Sequence, residues 1–197
     1  MQPVSKNAYY SVASTLLLAA GFCVTQATAQ SASSSASTSF QIKGVAPQVC
    51  QLPGQAAPSG AASNATYSSN MVTIESLIDN STAFVKSSSL TLKFDKAMCN
   101  YEAFLSLSSQ NRGMTSTDAK QATAGEFLSK VDYTVTADWG SIHDLILDTS
   151  QQSTAQLQTA GANSGTLTLT FATKNGNVPL VNGTYTDTVA VQIGAKL

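Results

Sequence analysis

His143 is the only histidine in the chain, and Ser141 and Asp144 stand beside it, so a nucleophile, a base and an acid fall within one short segment. Acyl transfer needs those three groups aligned with an oxyanion-binding turn. No nucleophile elbow accompanies them, and His143 reads as a loop histidine after Trp139-Gly140. Glu102 and Glu126 are the carboxylates that a glycosidase would need to pair, but nothing in the sequence brings them together. The remaining acids are scattered and lack the dense Asp and Asn ladder of a calcium loop. No Gly-rich phosphate loop occurs. The expectation is a protein without catalytic residues, metal or cofactor.

Cysteine chemistry is more informative. Lys6, the apolar run from Val12 to Val24 and the small residues Ala27-Thr28-Ala29 are the parts of a cleavable secretory signal over residues 1–29. The apolar run, about 13 residues, is shorter than the roughly 20 needed to span a bilayer. Phe22 sits before Cys23 where a lipoprotein site requires a small residue. The signal places the mature chain in an oxidising compartment, where its two cysteines, Cys50 and Cys99, read as a disulfide. A zinc site would need four ligands, and no histidine lies near either cysteine.

Charge removes another class of function. The whole chain carries ten basic and eleven acidic residues. Only Lys6 of these lies in the signal, so the mature part has net charge −2, with no basic stripe to grip nucleic acid. Residues 30–197 have the length of one domain. Ser31 to Ser39 is almost wholly Ser, Ala and Thr and reads as a flexible arm. Gln51 to Asn70, with Pro53, Gly54, Pro58 and Gly60, reads as a long loop or a poorly ordered insertion.

The elements between these landmarks have a period of two. Val72 and Ile74 mark a short strand. Leu90, Leu92 and Phe94 mark a second, Tyr101 to Leu107 a third, Val131 to Ala137 a fourth, Leu145 and Leu147 a fifth, and Leu167, Leu169 and Phe171 a sixth. Only Ser116 to Lys130 has helix-like composition, and it is short. The terminal segment Gly183 to Ile193 puts Tyr185, Val189, Val191 and Ile193 on one face and Thr184, Thr186, Thr188 and Gln192 on the other. Short Thr- and Val-rich strands without crossover helices predict an all-β antiparallel sandwich. The Thr and Ser columns on the outer strand faces read as β-propensity with solubility, in preference to a sugar-binding surface.

Three segments carry a resemblance to a known family. They are FQIKGVAPQVC, leading to Cys50; LTLKFDKAMCNYEAFLSLSSQNRG, containing Cys99; and the terminal NGTYTDTVAVQI with its Gly-x-Tyr-x-Asp opening. In order and spacing they resemble the pilin-like subunits of bacterial chaperone-usher fimbriae, of the archaic branch that shares the spore coat protein U domain. The resemblance implies a bridge from Cys50 to Cys99 and an incomplete immunoglobulin-like β-sandwich completed by donor-strand exchange. The implied partners are a periplasmic chaperone, an outer-membrane usher and neighbouring pilin subunits, with delivery through the periplasm to a surface fimbria that serves adhesion or biofilm formation. The donor strand falls at Thr38 to Ala46, where Phe40 and Ile42 are followed in parity by Gly44 and Ala46, within an arm of residues 30–46 preceding a sandwich of residues 47–197. Arg112 departs from the family at a turn position that often holds glycine, which leaves that turn's geometry open. The alternative is a self-contained secreted sandwich, or a minor tip subunit, that binds a carbohydrate or another surface ligand.

Overall fold

In a computed structural model, residues 37–118 and 125–195 are described. The expected signal and most of the Ser-rich stretch lie outside them. The chain divides into two units, one ending at Gly44 and the other beginning at Val45. In the first, Phe40, Ile42 and Gly44 are exposed and outside any strand.

From Val45 onward the described residues are all β, as the period-two pattern predicts, with antiparallel sheets and no helix. Two long strands form the centre: β5 (Ser89–Cys99) and β12 (Asn163–Thr173) pair antiparallel, with Leu169 opposite Leu92 and Leu167 opposite Phe94. On the far edge of β12 lies β9 (Tyr133–Trp139), followed by β10 (Ile142–Asp148). On the far edge of β5 lie β1 (Cys50–Gln51) at one end and β2 (Ala57–Ser63) at the other. A smaller sheet runs in the order β11 (Thr154–Gln158), β6 (Ala103–Ser109), β13 (Val189–Ala195). Two short ribbons complete the set: β3 (Ala65–Ser68) with β4 (Met71–Ile74), and β7 (Met114–Thr115) with β8 (Lys130–Val131).

One apolar core takes side chains from both larger sheets. Leu90, Leu92, Leu167, Leu169, Val135, Trp139 and Leu147 come from the larger sheet, and Ala103, Leu105, Leu107 and Ala155 from the smaller. Burial alternates along β6 and β9, so their other faces carry Ser and Thr, as a half-buried sheet requires. Trp139 is wholly buried, and its indole N–H donates to the Ala97 carbonyl at 3.2 Å.

The disulfide joins Cys50 to Cys99, which stand opposite each other in the β1–β5 pairing. It closes a loop with a sequence separation of 49, a constraint that stabilises the fold by about 4 kcal/mol on the chain-entropy account.

Gln51 to Asn70 is not a loop, and that expectation is corrected. Residues 57–63 add main-chain hydrogen bonds to the edge of β5, and residues 65–68 form half of a hairpin. Pro58 and Gly60 are compatible with a strand there because β2 is an edge strand with an irregularity between Ser59 and Ser63. Asn64 fixes the corner between β2 and β3. Its amide donates to the Ser76 carbonyl and to Ser88 Oγ, each at 2.7 Å, and its oxygen accepts from the Ser76 N–H. The helical composition of Ser116 to Lys130 gives no helix in its described part, 116–118 and 125–130.

The terminal strand also begins later than its alternation suggests. Only Val189 onward joins the ladder to β6, while Thr186 bridges to Thr115. At the opposite end of the larger sheet, β10 carries a bulge between Ile142 and Leu145, and the Gln152 side chain donates to the Ile146 carbonyl at 3.1 Å.

Gly140 turns the chain from β9 into β10 at φ +54, and a Cβ there would lie 2.0 Å from Asn163 Oδ1. Asn163 holds that turn by donating to the Trp139 carbonyl at 2.9 Å and accepting from the Ser141 N–H at 3.0 Å. Gly140→Ala is expected to cost about 2–4 kcal/mol through left-handed strain and displacement of Asn163. Urea unfolding checks this; a cost below about 1 kcal/mol would mean that Asn163 yields without penalty.

Candidate functional site

The Ser141, His143 and Asp144 set is not assembled. His143 is exposed, and its Nδ1 lies 3.6 Å from Asp138 Oδ1, not beside Asp144. Asp144 occupies the β10 bulge at φ +54, with its N–H donating to the same Asp138 oxygen at 3.1 Å. The Ser141 hydroxyl is directed at Asn163 Oδ1 at 3.5 Å. Glu102 and Glu126 are both exposed. No group of three or more His, Cys, Asp and Glu side chains suited to a metal ion occurs among the described residues.

The feature with functional geometry is β13. It ends the smaller sheet, pairing with β6 on one side and with no strand among the described residues on the other. Its inward row, Val189, Val191 and Ile193, is only half-buried, although each packs against the core. The facing positions on β6, Leu105 and Leu107, are fully buried at 0% exposure. The difference therefore belongs to the edge and not to the sheet. β1 lies close to β13. On that side of the larger sheet β1 pairs with residues 98–99 of β5 and β2 with residues 89–93, so residues 94–97 carry neither. Leu52, Ala56 and Phe94, at that interruption, are also half-buried.

Just upstream, Asp187 shares the parity of this row and marks the point where the terminal segment changes partners. Before it, Thr186 exchanges both main-chain hydrogen bonds with Thr115; after it, the Thr188 carbonyl accepts from the Gln110 N–H at 2.9 Å. The Asp187 carboxylate gathers donors from both sides of this crossing. Tyr133 of β9 donates its hydroxyl at 2.6 Å and Ser109 of β6 donates its own. The N–H groups of Asn111, Gly113 and Thr188 donate at 3.0, 3.2 and 2.7 Å. Burial pushes this carboxyl up, but the hydrogen bonds from Ser109, Tyr133, Asn111 and Thr188 together outweigh it, so the group sits below the usual carboxylate range. Burial, and then the neighbouring carboxylate, push the Tyr133 hydroxyl up and keep it a donor. Tyr185, one step earlier in the row, is half-buried and donates to the Val181 carbonyl at 2.7 Å.

The turn that Asp187 grips has two consecutive residues with positive φ, Arg112 at 54° and Gly113 at 123°. Arg112 tolerates the left-handed conformation with help from its guanidinium, which donates to the Ser150 and Gln151 carbonyls at 3.2 and 2.8 Å. This is the geometry of the turn that the sequence left open at Arg112.

The Gly-x-Tyr-x-Asp motif was visible in sequence, but the carboxylate's role was not, because four of its five donors lie 54 to 78 residues away. Comparison with protein-family models, curated proteins and solved structures found no match to this chain.

Asp187→Ala strips five donors of their acceptor and is expected to cost about 2–4 kcal/mol, with Tyr133→Phe costing about 1 kcal/mol. Because the folded-state pKa of Asp187 is depressed, its stabilisation is fully present above the ordinary carboxyl value near 3.9. It is lost as pH falls through the lower folded value. Between about pH 4 and the acid-unfolding limit, Asp187→Asn should show a flatter decline in stability than the unsubstituted protein; parallel curves would remove Asp187 from the linkage.

Proposed function

We propose that this chain is a structural subunit of a secreted surface fimbria. It is delivered by a periplasmic chaperone to an outer-membrane usher and polymerises by donor-strand complementation. It performs no reaction. The observation that carries the reading is the outer edge of β13, which pairs with no strand among the described residues and has a half-buried inner row beside fully buried neighbours. Such an edge offers free main-chain donors and acceptors and incompletely covered apolar surface, the two things that an added strand uses. The arm supplies the complement. Phe40 and Ile42 are 82% and 87% exposed and alternate with polar Gln41 and Lys43. Burying each would contribute roughly 1.5–3 kcal/mol, in addition to main-chain pairing along the strand.

The mature chain is expected to give heat-resistant ladders on an unboiled gel. Replacing Phe40 and Ile42 with Asp should abolish the ladder while leaving the chaperone complex able to form. Continued polymerisation of the double variant would defeat the reading, and a stable monomer from the unsubstituted chain would favour a self-contained sandwich.

A further inference from the structure

We infer that Asn182-Gly183, on the span leading into the terminal segment, is a site of self-modification at which the asparagine amide becomes a carboxylate, with water as the only co-reactant. The inference does not depend on the strand-addition reading. In the first step the main-chain nitrogen of Gly183 attacks Cγ of Asn182. A bond from that nitrogen to Cγ forms, the Cγ–Nδ2 bond breaks, and the proton of the glycine amide leaves on the departing ammonia. Water then opens the cyclic imide at either carbonyl. Opening at Cγ returns aspartate with the main chain on its usual path. Opening at the main-chain carbonyl leaves isoaspartate, whose chain runs through Cγ and is longer by a methylene. Nothing is oxidised or reduced.

The reaction needs a residue without Cβ after the asparagine, so that nitrogen and carbon can meet. It also needs an amide and an N–H that no hydrogen bond holds, in backbone free to rotate. The chain has two Asn-Gly pairs, Asn175-Gly176 and Asn182-Gly183. At the second these conditions coincide. Asn182, Gly183 and Thr184 are exposed and outside any strand. Among the described residues, neither the Asn182 side chain nor the Gly183 N–H makes a hydrogen bond. The free span is short, because the Val181 N–H donates to the Leu128 carbonyl at 2.9 Å and Thr186 is bonded to Thr115. The Tyr185 hydroxyl donates to the Val181 carbonyl, so the new charge, and the methylene of the isoaspartate form, fall inside the loop that this bond closes.

The first pair is held by packing. Gly176 is half-buried, and a Cβ there would lie 3.3 Å from Leu128 Cδ1 and 3.6 Å from the Val178 carbonyl oxygen. Lys174, just before it, is fixed by its N–H to the Asp132 carbonyl at 2.9 Å and by its ammonium to Asp148 at 2.7 Å. Asn64, Asn100 and Asn163 are tied by side-chain hydrogen bonds, and none of them precedes glycine.

The two Asn-Gly pairs provide the test. The mature chain is incubated at mildly alkaline pH, folded in one sample and unfolded in urea in another. Peptide mass spectrometry follows conversion at each pair, and enzymatic methylation detects isoaspartate. In the folded chain the Asn182 peptide should convert several-fold faster than the Asn175 peptide and should contain isoaspartate. In urea, where nothing packs against Gly176, the two rates should converge. Equal rates in the folded chain, an Asn182 that stays unconverted, or a rate ratio that urea leaves unchanged would each overturn the proposal.

Discussion

Three strands face a sheet of six, and the narrower sheet ends at β13 with its inner row half in water. That shortfall in width governs the rest of the molecule. A side chain at the centre of the small sheet is covered by strands on both flanks, so Leu105 and Leu107 are fully excluded from solvent. A side chain at the edge has one flank only. Val191 is as apolar as its β6 partner Leu107 requires, but no strand among the described residues pairs with its other side. Apolar residues aligned along an unpaired edge are a liability in a solitary domain.

The interior of the sandwich is closed by contrast. No buried side-chain polar atom among the described residues lacks a hydrogen-bond partner. Asn64, Asn163 and Asp187 each sit at a corner where the chain passes between strands, and each satisfies main-chain groups that a turn would otherwise leave unpaired. Asn64 and Asp187 hold strands of different sheets together, and Asn163 fixes strands within the larger sheet. The exposed edge is therefore a feature of a well-fixed framework, not of a loosely packed end.

Sequence patterns revealed the strands that bury large residues on alternate positions. β5, β6, β9, β10 and β12 all carry Leu, Val, Phe or Tyr at every second place, and each lies where its alternation put it. β2 was illegible because Ala57–Ser63 contains no large side chain; it is held by main-chain pairing to β5, which leaves no trace in residue type. β11 has only Ala155 and Leu157 to mark it, and Leu157 remains largely exposed. The late start of β13 was hidden for another reason: Tyr185 and Asp187 keep the strand's parity but are held by side-chain hydrogen bonds outside its ladder. Among the candidate site residues, alternation exposed the inner face of β13, and the compartment argument exposed the disulfide. The grip of Asp187 on Tyr133 and Ser109 required the fold.

The other flank of the larger sheet is furnished differently. The bulge in β10 breaks its straight run, and the amide of Gln152 occupies the Ile146 carbonyl that a neighbouring strand would need. The β13 and β10 margins are therefore unlike: one is an open row of main-chain groups and the other is interrupted. On the fibre proposal, copies would thread head to tail, and the obstructed β10 margin would oppose side-by-side fusion into a continuous ribbon of the amyloid kind.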